Sequence, residues 1–349
     1  MSFPQPRTAV QSIAAYRAGA RSTEESLKLS SNENPFGPLP GVLESATAAL
    51  GQMNRYPDPA TSQLRELLAN RLRLAADQLC FGTGSVAVLY ALLNAWCAAG
   101  DEVVYAWRSF EAYPIAVELT GARSVQIALT RDGRHDLSAM ASAITEQTKV
   151  VLVCSPNNPT GTVVGAAEFE EFMAQVRTDV LVVLDEAYAE FVRDDSAVAG
   201  LAILARHENL VVLRTFSKAY GLAGLRVGYA MGPAPIVEAI DKVLPTFGVS
   251  DIAQAAAVAS LAAEAELGER VDLLVAERER VATRLRELGF SVPTTQGNFV
   301  WLELPGRSAE FGAHVAPVAV RGFAEGVRVS IGTPSVNDAF LAAATTFKP

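Results

Sequence analysis

Short apolar or β-branched runs alternate with helical patterns through residues 64–231, and this alternation constrains the fold more than any other feature of the chain. Strand-like runs lie at 79–82, 102–106, 123–128, 150–155, 180–185, 210–215 and 227–231, and helical periodicity fills 85–98, 111–120, 166–176 and 198–207 between them. The pattern predicts a doubly wound α/β core whose mostly parallel sheet is covered on both faces. After Pro245 it changes. An alanine-rich helix is expected at 250–264 and a long helix at 266–288, with Val271, Leu274, Val275, Val281 and Leu285 on one side. Strands near 297–304 and 327–331 and a last helix from residue 336 complete a smaller α+β unit. Residues 1–30 have weak periodicity and several breakers, as expected of an arm that packs on another body. The predicted division is an arm at 1–30, a large domain at 31–245 and a small domain at 246–349.

The chain has 349 residues, 38 acidic against 29 basic, for a net charge of −9, and its basic residues form no long block. That argues against a nucleic acid or an anionic membrane as partner and in favour of small molecules. The richest apolar run, 86–99, contains Asn94 and is too short to span a bilayer; residues 1–19 lack the apolar core of a signal peptide. A cytoplasmic location is expected. Cys80, Cys97 and Cys154 are too scattered for a disulfide framework, and His135, His207 and His314 form no zinc pattern, so no metal is expected. No GxSxG elbow raises the prospect of a serine hydrolase.

Four segments follow predicted strands. The first, Gly82-Thr83-Gly84-Ser85-Val86-Ala87, fits a dinucleotide fingerprint, with Glu102 about 20 residues on. Glu102 opens the next strand, however, whereas a ribose-binding carboxylate belongs at that strand's carboxyl end. What survives is a glycine turn whose Gly84, Ser85 and Val86 N–H groups suit a phosphate; a plain tight turn is the competing reading. The second, Ser155-Pro156-Asn157-Asn158-Pro159-Thr160-Gly161, offers two amides in what is otherwise common loop punctuation. In the third, Asp185-Glu186-Ala187-Tyr188, a carboxylate entered directly from five apolar residues should want a cationic partner, unless Asp185 is simply a helix cap. The fourth runs from Thr215 through Ser217 and Lys218 to Arg226. A lysine among small and apolar residues tends toward the neutral, nucleophilic amine, and Thr215, Ser217 and Arg226 can cradle an anion; an ordinary surface lysine is the alternative.

In a parallel sheet these four segments gather along one edge, where open α/β sheets bind ligands. The edge then holds a phosphate cradle, a carboxylate, a phenol, an amide and an isolated lysine. Pyridoxal 5′-phosphate (PLP) has a group for each of them.

The sequence resembles the fold-type I PLP-dependent aminotransferases, and within them the histidinol-phosphate aminotransferase family. The motifs that carry the likeness are Ser-Pro-Asn-Asn-Pro-Thr-Gly, Asp-Glu-Ala-Tyr and Thr-Phe-Ser-Lys-Ala-Tyr-Gly, with Lys28-Leu-Ser-Ser-Asn-Glu-Asn-Pro before them and Val327-Arg-Val-Ser after. The resemblance implies that Lys218 forms the Schiff base, Asp185 pairs with the pyridine nitrogen, Tyr188 and Asn158 bond the ring oxygen and Phe110 stacks on the ring. It also implies that Arg328 clamps the substrate α-carboxylate. A homodimer with shared active sites follows as well, Tyr56 reaching the partner's cofactor phosphate and Tyr16 closing over the substrate. Arg321 and Tyr16 are the candidates for the side-chain region, a surface charge being the other reading of Arg321. Ser85-Val86 after the glycine turn and Trp107-Arg-Ser-Phe-Glu-Ala-Tyr113 look more like the aromatic amino acid (phenylalanine) aminotransferases of this family than its histidinol-phosphate enzymes. The implied activity moves an amino group between an aromatic amino acid and a 2-oxo acid such as 2-oxoglutarate. Histidinol-phosphate transamination is the first alternative; a nicotinamide dehydrogenase and a non-catalytic binding protein are those of a different class.

Overall fold

The computed structural model describes residues 4–11, 13 and 27–349. Its main sheet contains Leu79–Gly82 (β1), Glu102–Trp107 (β2), Arg123–Ala128 (β3), Thr148–Cys154 (β4), Leu181–Asp185 (β5), Leu210–Thr215 (β6) and Gly228–Met231 (β7). The spatial order is β1-β7-β6-β5-β4-β2-β3. Neighbours from β6 through β3 are parallel, and β7 alone runs against both β6 and β1. Leu181 and Val183 enter one apolar cluster while Val182 and Leu184 enter the other, because successive strand residues point to opposite faces. That double burial is why residues 181–184 of β5 are apolar without a break.

On one face lie the helices Ser85–Trp96, Ala112–Thr120 and Ala234–Asp241, which contribute Leu89, Val117 and Ile240 to its cluster. The other face receives Phe169 and Phe172 from Ala166–Met173 and shares its cluster with the long helix Glu264–Glu287. A second, antiparallel sheet follows, built from Phe299–Glu303 (β8), Arg321–Gly322 (β9) and Gly326–Ser330 (β10), with β10 in the middle. Leu29 is stitched to it: its N–H donates to Ala319 O at 2.8 Å and its carbonyl accepts from Ser330 N at 2.9 Å.

The helix expected at 198–207 is instead one α-turn, Gly200–Ile203, followed by a 3-10 turn, Leu204–Arg206. Ala199 is extended, and Gly200 N–H donates to Glu186 Oε1 at 2.6 Å, which starts the turn late. Helices at Val42–Leu50 and Ser62–Leu72 were not anticipated.

Candidate active site

The parallel strands bring their carboxyl ends together, and the second sheet closes over them with Arg321 on β9 and Arg328 on β10. Between lies a cavity of about 250 Å³, whose wall includes Ser85, Val86, Phe110, Asn158, Asp185, Tyr188, Thr215, Ser217, Lys218, Arg226, Arg321 and Arg328. These residues lie as far as 243 positions apart in the chain (85 to 328), yet they share one hollow. A larger hollow of about 720 Å³, near Asp58, Arg65, Asp241 and Phe247, contains none of the residues singled out from the sequence.

Asp185 ends β5 and is buried. Burial pushes its carboxyl up to about 6, against the opposing pull of the Tyr113 hydroxyl, which donates to Oδ2 at 2.8 Å, and of Ala187 N–H, which donates to Oδ1 at 3.3 Å. Lys218, partly buried, approaches the carbonyls of Ser31 and Asn32 at 3.3 and 3.4 Å. Burial first, and then the positive charge of Arg328, bring its amine down to about 7. Its Nζ also stands 5.6 Å from the centre of the Tyr188 ring. The Tyr188 hydroxyl accepts from Asn32 Nδ2 at 2.9 Å, and burial raises its pKa.

At the far end of the cavity the helix Ser85–Trp96 begins. Ala87 and Val88 N–H donate to the capping Gly84 O at 3.1 and 3.5 Å, which leaves the Ser85 and Val86 N–H groups at the helix N-terminus to favour an anion. Gly84 N–H, expected to be free, instead donates to Gly82 O at 2.7 Å across the tight turn centred on Thr83, and φ of +85° at Gly84 then leads the chain into the helix. The groups left to form the expected anion cradle at this end of the cavity are Ser85 and Val86 N–H with Thr215, Ser217 and Arg226, whose Nη1 lies 3.4 Å from Ser217 Oγ. Two glycines make room for it. A Cβ on Gly84 would stand 2.5 Å from Arg226 Nη2, and one on Gly228 would stand 2.2 Å from Ser85 N.

Arg328 is buried and donates to Asn158 Oδ1 at 2.6 Å and to Ser30 O at 2.8 Å. Arg321, its cross-strand partner, donates to the Glu111 carboxylate through Nη2 at 2.7 Å and Nε at 3.3 Å. Of the two asparagines only Asn158 faces the cavity. Asn157 is turned into the wall, where Oδ1 accepts from Ser109 Oγ at 2.7 Å and meets His135 Nε2 at 3.1 Å. Tyr56 is not at this chain's own cavity: it is 81 % exposed and stacks on Phe247 with ring centres 4.7 Å apart. Tyr16 lies outside the described residues. Glu102 sits at the opposite end of the sheet, paired with Arg123 and with Thr145 Oγ1 at 2.8 Å, which removes the dinucleotide reading. Among the described residues no group of three or more His, Cys, Asp or Glu could hold a metal, and no helix is long and apolar enough to cross a membrane.

Sequence reasoning missed Tyr113, Asn32 and Glu111. Tyr113 reads as one more apolar position on a helix, and Asn32 reaches Tyr188 only because the backbone there takes φ of +54°.

Comparison with known proteins fits this geometry. The family model described as "Aminotransferase class I and II" matches residues 24–343. A curated "Aromatic amino acid aminotransferase" from Streptomyces avermitilis is 54% identical, covering 99% of this chain and 98% of its own length; one of the same name from Thermobifida fusca is 51% identical over 99% and 97%. A crystal structure of histidinol-phosphate aminotransferase from Sinorhizobium meliloti in complex with pyridoxal-5′-phosphate superposes with a TM-score of 0.86 at 27% identity, covering 99% of this chain and 97% of that one. With the fold, the cavity and these likenesses in agreement, the chain belongs to the class I and II aminotransferases.

Proposed function

We propose that this aminotransferase uses pyridoxal 5′-phosphate to transfer the amino group of an aromatic amino acid (phenylalanine, tyrosine or tryptophan) to a 2-oxo acid such as 2-oxoglutarate. The observation that carries the proposal is one cavity in which a lysine amine of depressed pKa and a buried carboxylate flank an anion cradle at a helix N-terminus. The donor set fits the cofactor. Ser85 N–H, Val86 N–H, Thr215, Ser217 and Arg226 would hold its phosphate, Asp185 its ring nitrogen, Tyr188 and Asn158 its ring oxygen and Phe110 its face. Bound there, the cofactor supplies an aldehyde that condenses with amines and a ring that withdraws electrons from the substrate Cα.

Lys218 Nζ is the covalent anchor, and once released it is the base that takes the proton from the substrate Cα. An amine brought down to about 7 has a substantial neutral fraction at physiological pH and can serve in both roles. Asp185 keeps its charge when a cation lies opposite, and Tyr113 steadies that charge through its hydroxyl. Arg328 presents a planar fork to the α-carboxylate and so fixes which Cα bond faces Lys218. Tyr16 and Arg321 remain our candidates for the substrate side chain.

The aromatic reading draws support from the relatives at 51–54% identity, and histidinol phosphate is the alternative that the structural neighbour's name raises. A homodimer with shared sites belongs to the same proposal. Leu43, Leu50, Met53, Tyr56, Val243 and Phe247 are large apolar side chains left exposed, and Tyr56 and Phe247 already touch. We also retain the division into an arm at 1–30, a large domain at 31–245 and a small domain at 246–349. Three buried, unbridged thiols support a reducing, cytoplasmic setting.

The test is a donor panel with cofactor-loaded protein: phenylalanine, tyrosine, tryptophan, glutamate and histidinol phosphate, each against 2-oxoglutarate or, for glutamate, phenylpyruvate. The aromatic donors should give the highest kcat/KM. Efficient turnover of histidinol phosphate with poor turnover of phenylalanine would replace this reading with the alternative.

A further inference from the structure

Arg321 and Arg328 face each other across β9 and β10, so their side chains leave the same face of the small sheet, and both line the cavity. Two like charges directly opposite each other repel, and an isolated guanidinium against an apolar wall lacks the solvation it needs. The neighbour the two arginines share is aromatic. The Phe323 ring centre lies 5.6 Å from the Arg321 guanidinium carbon and 5.8 Å from that of Arg328. Glu111, adjacent in sequence to the cavity residue Phe110 and itself at the start of the helix Ala112–Thr120, answers both problems. Its two oxygens take Nη2 and Nε of Arg321 at 2.7 and 3.3 Å, with the two side chains only 24 % and 17 % exposed. Such a partly buried two-point pair keeps its geometry better than a solvated one.

We propose that Glu111 is a specificity-determining residue: by holding Arg321 in a neutral ion pair it lets the side-chain region accept an uncharged ring and disfavours a side chain that carries two negative charges. Glu111 acts by neutralising Arg321 and by the field of its own carboxylate on the side-chain region; it is a positioning residue, not a catalytic one. The expected order of acceptance follows from charge. A neutral ring meets a neutral pair. A single carboxylate, as in glutamate, is drawn by Arg321 and repelled by Glu111 behind it. A phosphate monoester brings nearly twice that charge against the same carboxylate. The inference rests on the transamination reading above and adds the source of its charge preference.

The test compares kcat/KM of cofactor-loaded wild type, E111Q and E111D for phenylalanine, glutamate and histidinol phosphate. E111Q keeps an acceptor for Arg321 and removes the charge. It should raise the histidinol phosphate to phenylalanine ratio by about tenfold, the size of one unit charge acting across a partly solvated gap. The change should appear in KM and shrink as salt is added. E111D should stay near wild type. In a thermal-shift assay glutarate should stabilise E111Q more than wild type, whereas 3-phenylpropionate should not discriminate between them. A parallel fall for all three donors, or an unchanged ratio, overturns the proposal. If E111Q does not fold, R321Q and E111Q/R321Q carry the comparison: removing the carboxylate where Arg321 is already absent should still raise the ratio, and no rise overturns the proposal. A wild type that transfers no amino group from any donor removes the transamination reading itself and this inference with it, an outcome distinct from a fixed ratio in an active enzyme.

Discussion

Lys218 has its amine brought down to about 7 by burial and by the positive charge of Arg328, and this has a measurable consequence. Only the neutral amine attacks an aldehyde, so the rate of PLP capture by cofactor-free protein should climb through pH about 7 and then level off. A rate still climbing at pH 10, where an ordinary lysine titrates, would show that the site does not depress it. Lys218→Ala should abolish the borohydride-fixed pyridoxyl adduct and lower transamination by at least about a hundredfold, since it removes both anchor and base. Mass spectrometry of the adduct and steady-state rates check the two effects separately. At Asp185 the sign is opposite. Tyr113 donates a hydrogen bond to the carboxylate and favours its charged form, so Tyr113→Phe should raise the Asp185 pKa and move the acid limb of the kcat/KM profile upward by about one pH unit, the size of one lost charge-assisted bond. An unmoved acid limb would mean that Asp185 does not govern it.

Between elements, the close approach of β7 to the helix Ser85–Trp96 decides whether the anion cradle holds its shape. Gly228→Ala puts a methyl 2.2 Å from the Ser85 backbone nitrogen, and backbone cannot rotate away. The substitution should cost about 1–3 kcal/mol of stability, as overpacking does, and weaken PLP retention, read from Tm and from dialysis against buffer. A lower Tm with unchanged retention would separate the cradle from that contact. The inner strands were legible because burial on both faces leaves an apolar run: the expected limits at 79–82 and 210–215 coincide with β1 and β6, while the edge strand β3, at 123–128 as expected, showed instead by its alternation of polar and apolar residues. The same rule hid the direction of β7, since a short run such as Gly228–Met231 reads alike parallel or antiparallel. Strand ends were legible as a shared edge, which is how Asp185, Lys218 and Ser85 could be grouped before any coordinates. Cross-strand and cross-helix partners were not. Nothing in a two-residue strand announces that Arg321 stands beside Arg328, nor that Tyr113, in the first turn of a helix, points its hydroxyl at Asp185.

For the whole molecule, the question is whether one chain makes a complete site. Tyr56 is 81 % exposed, absent from the wall of its own chain's cavity, and stacked on the exposed Phe247 ring. In the homodimer proposed above, a phenol held out in this way on an exposed aromatic ring would serve a second copy related by a two-fold axis. Chain complementation tests this directly. In a hybrid of Lys218→Ala with Tyr56→Ala, one site carries both defects, while the other combines an intact Lys218 with an intact Tyr56 from its partner. If subunits exchange at random, half the dimers are hybrids and half of their sites are whole, so activity should return to roughly a quarter of wild type, as two-fold symmetry dictates. If Tyr56 instead serves its own chain, every site with Lys218 still lacks Tyr56, and mixing recovers nothing. Cofactor-limited assays after exchange, verified by mass spectrometry of differently tagged chains, distinguish the two. No recovery from fully exchanged hybrids, with Tyr56→Ala alone shown to be impaired, would remove the shared site.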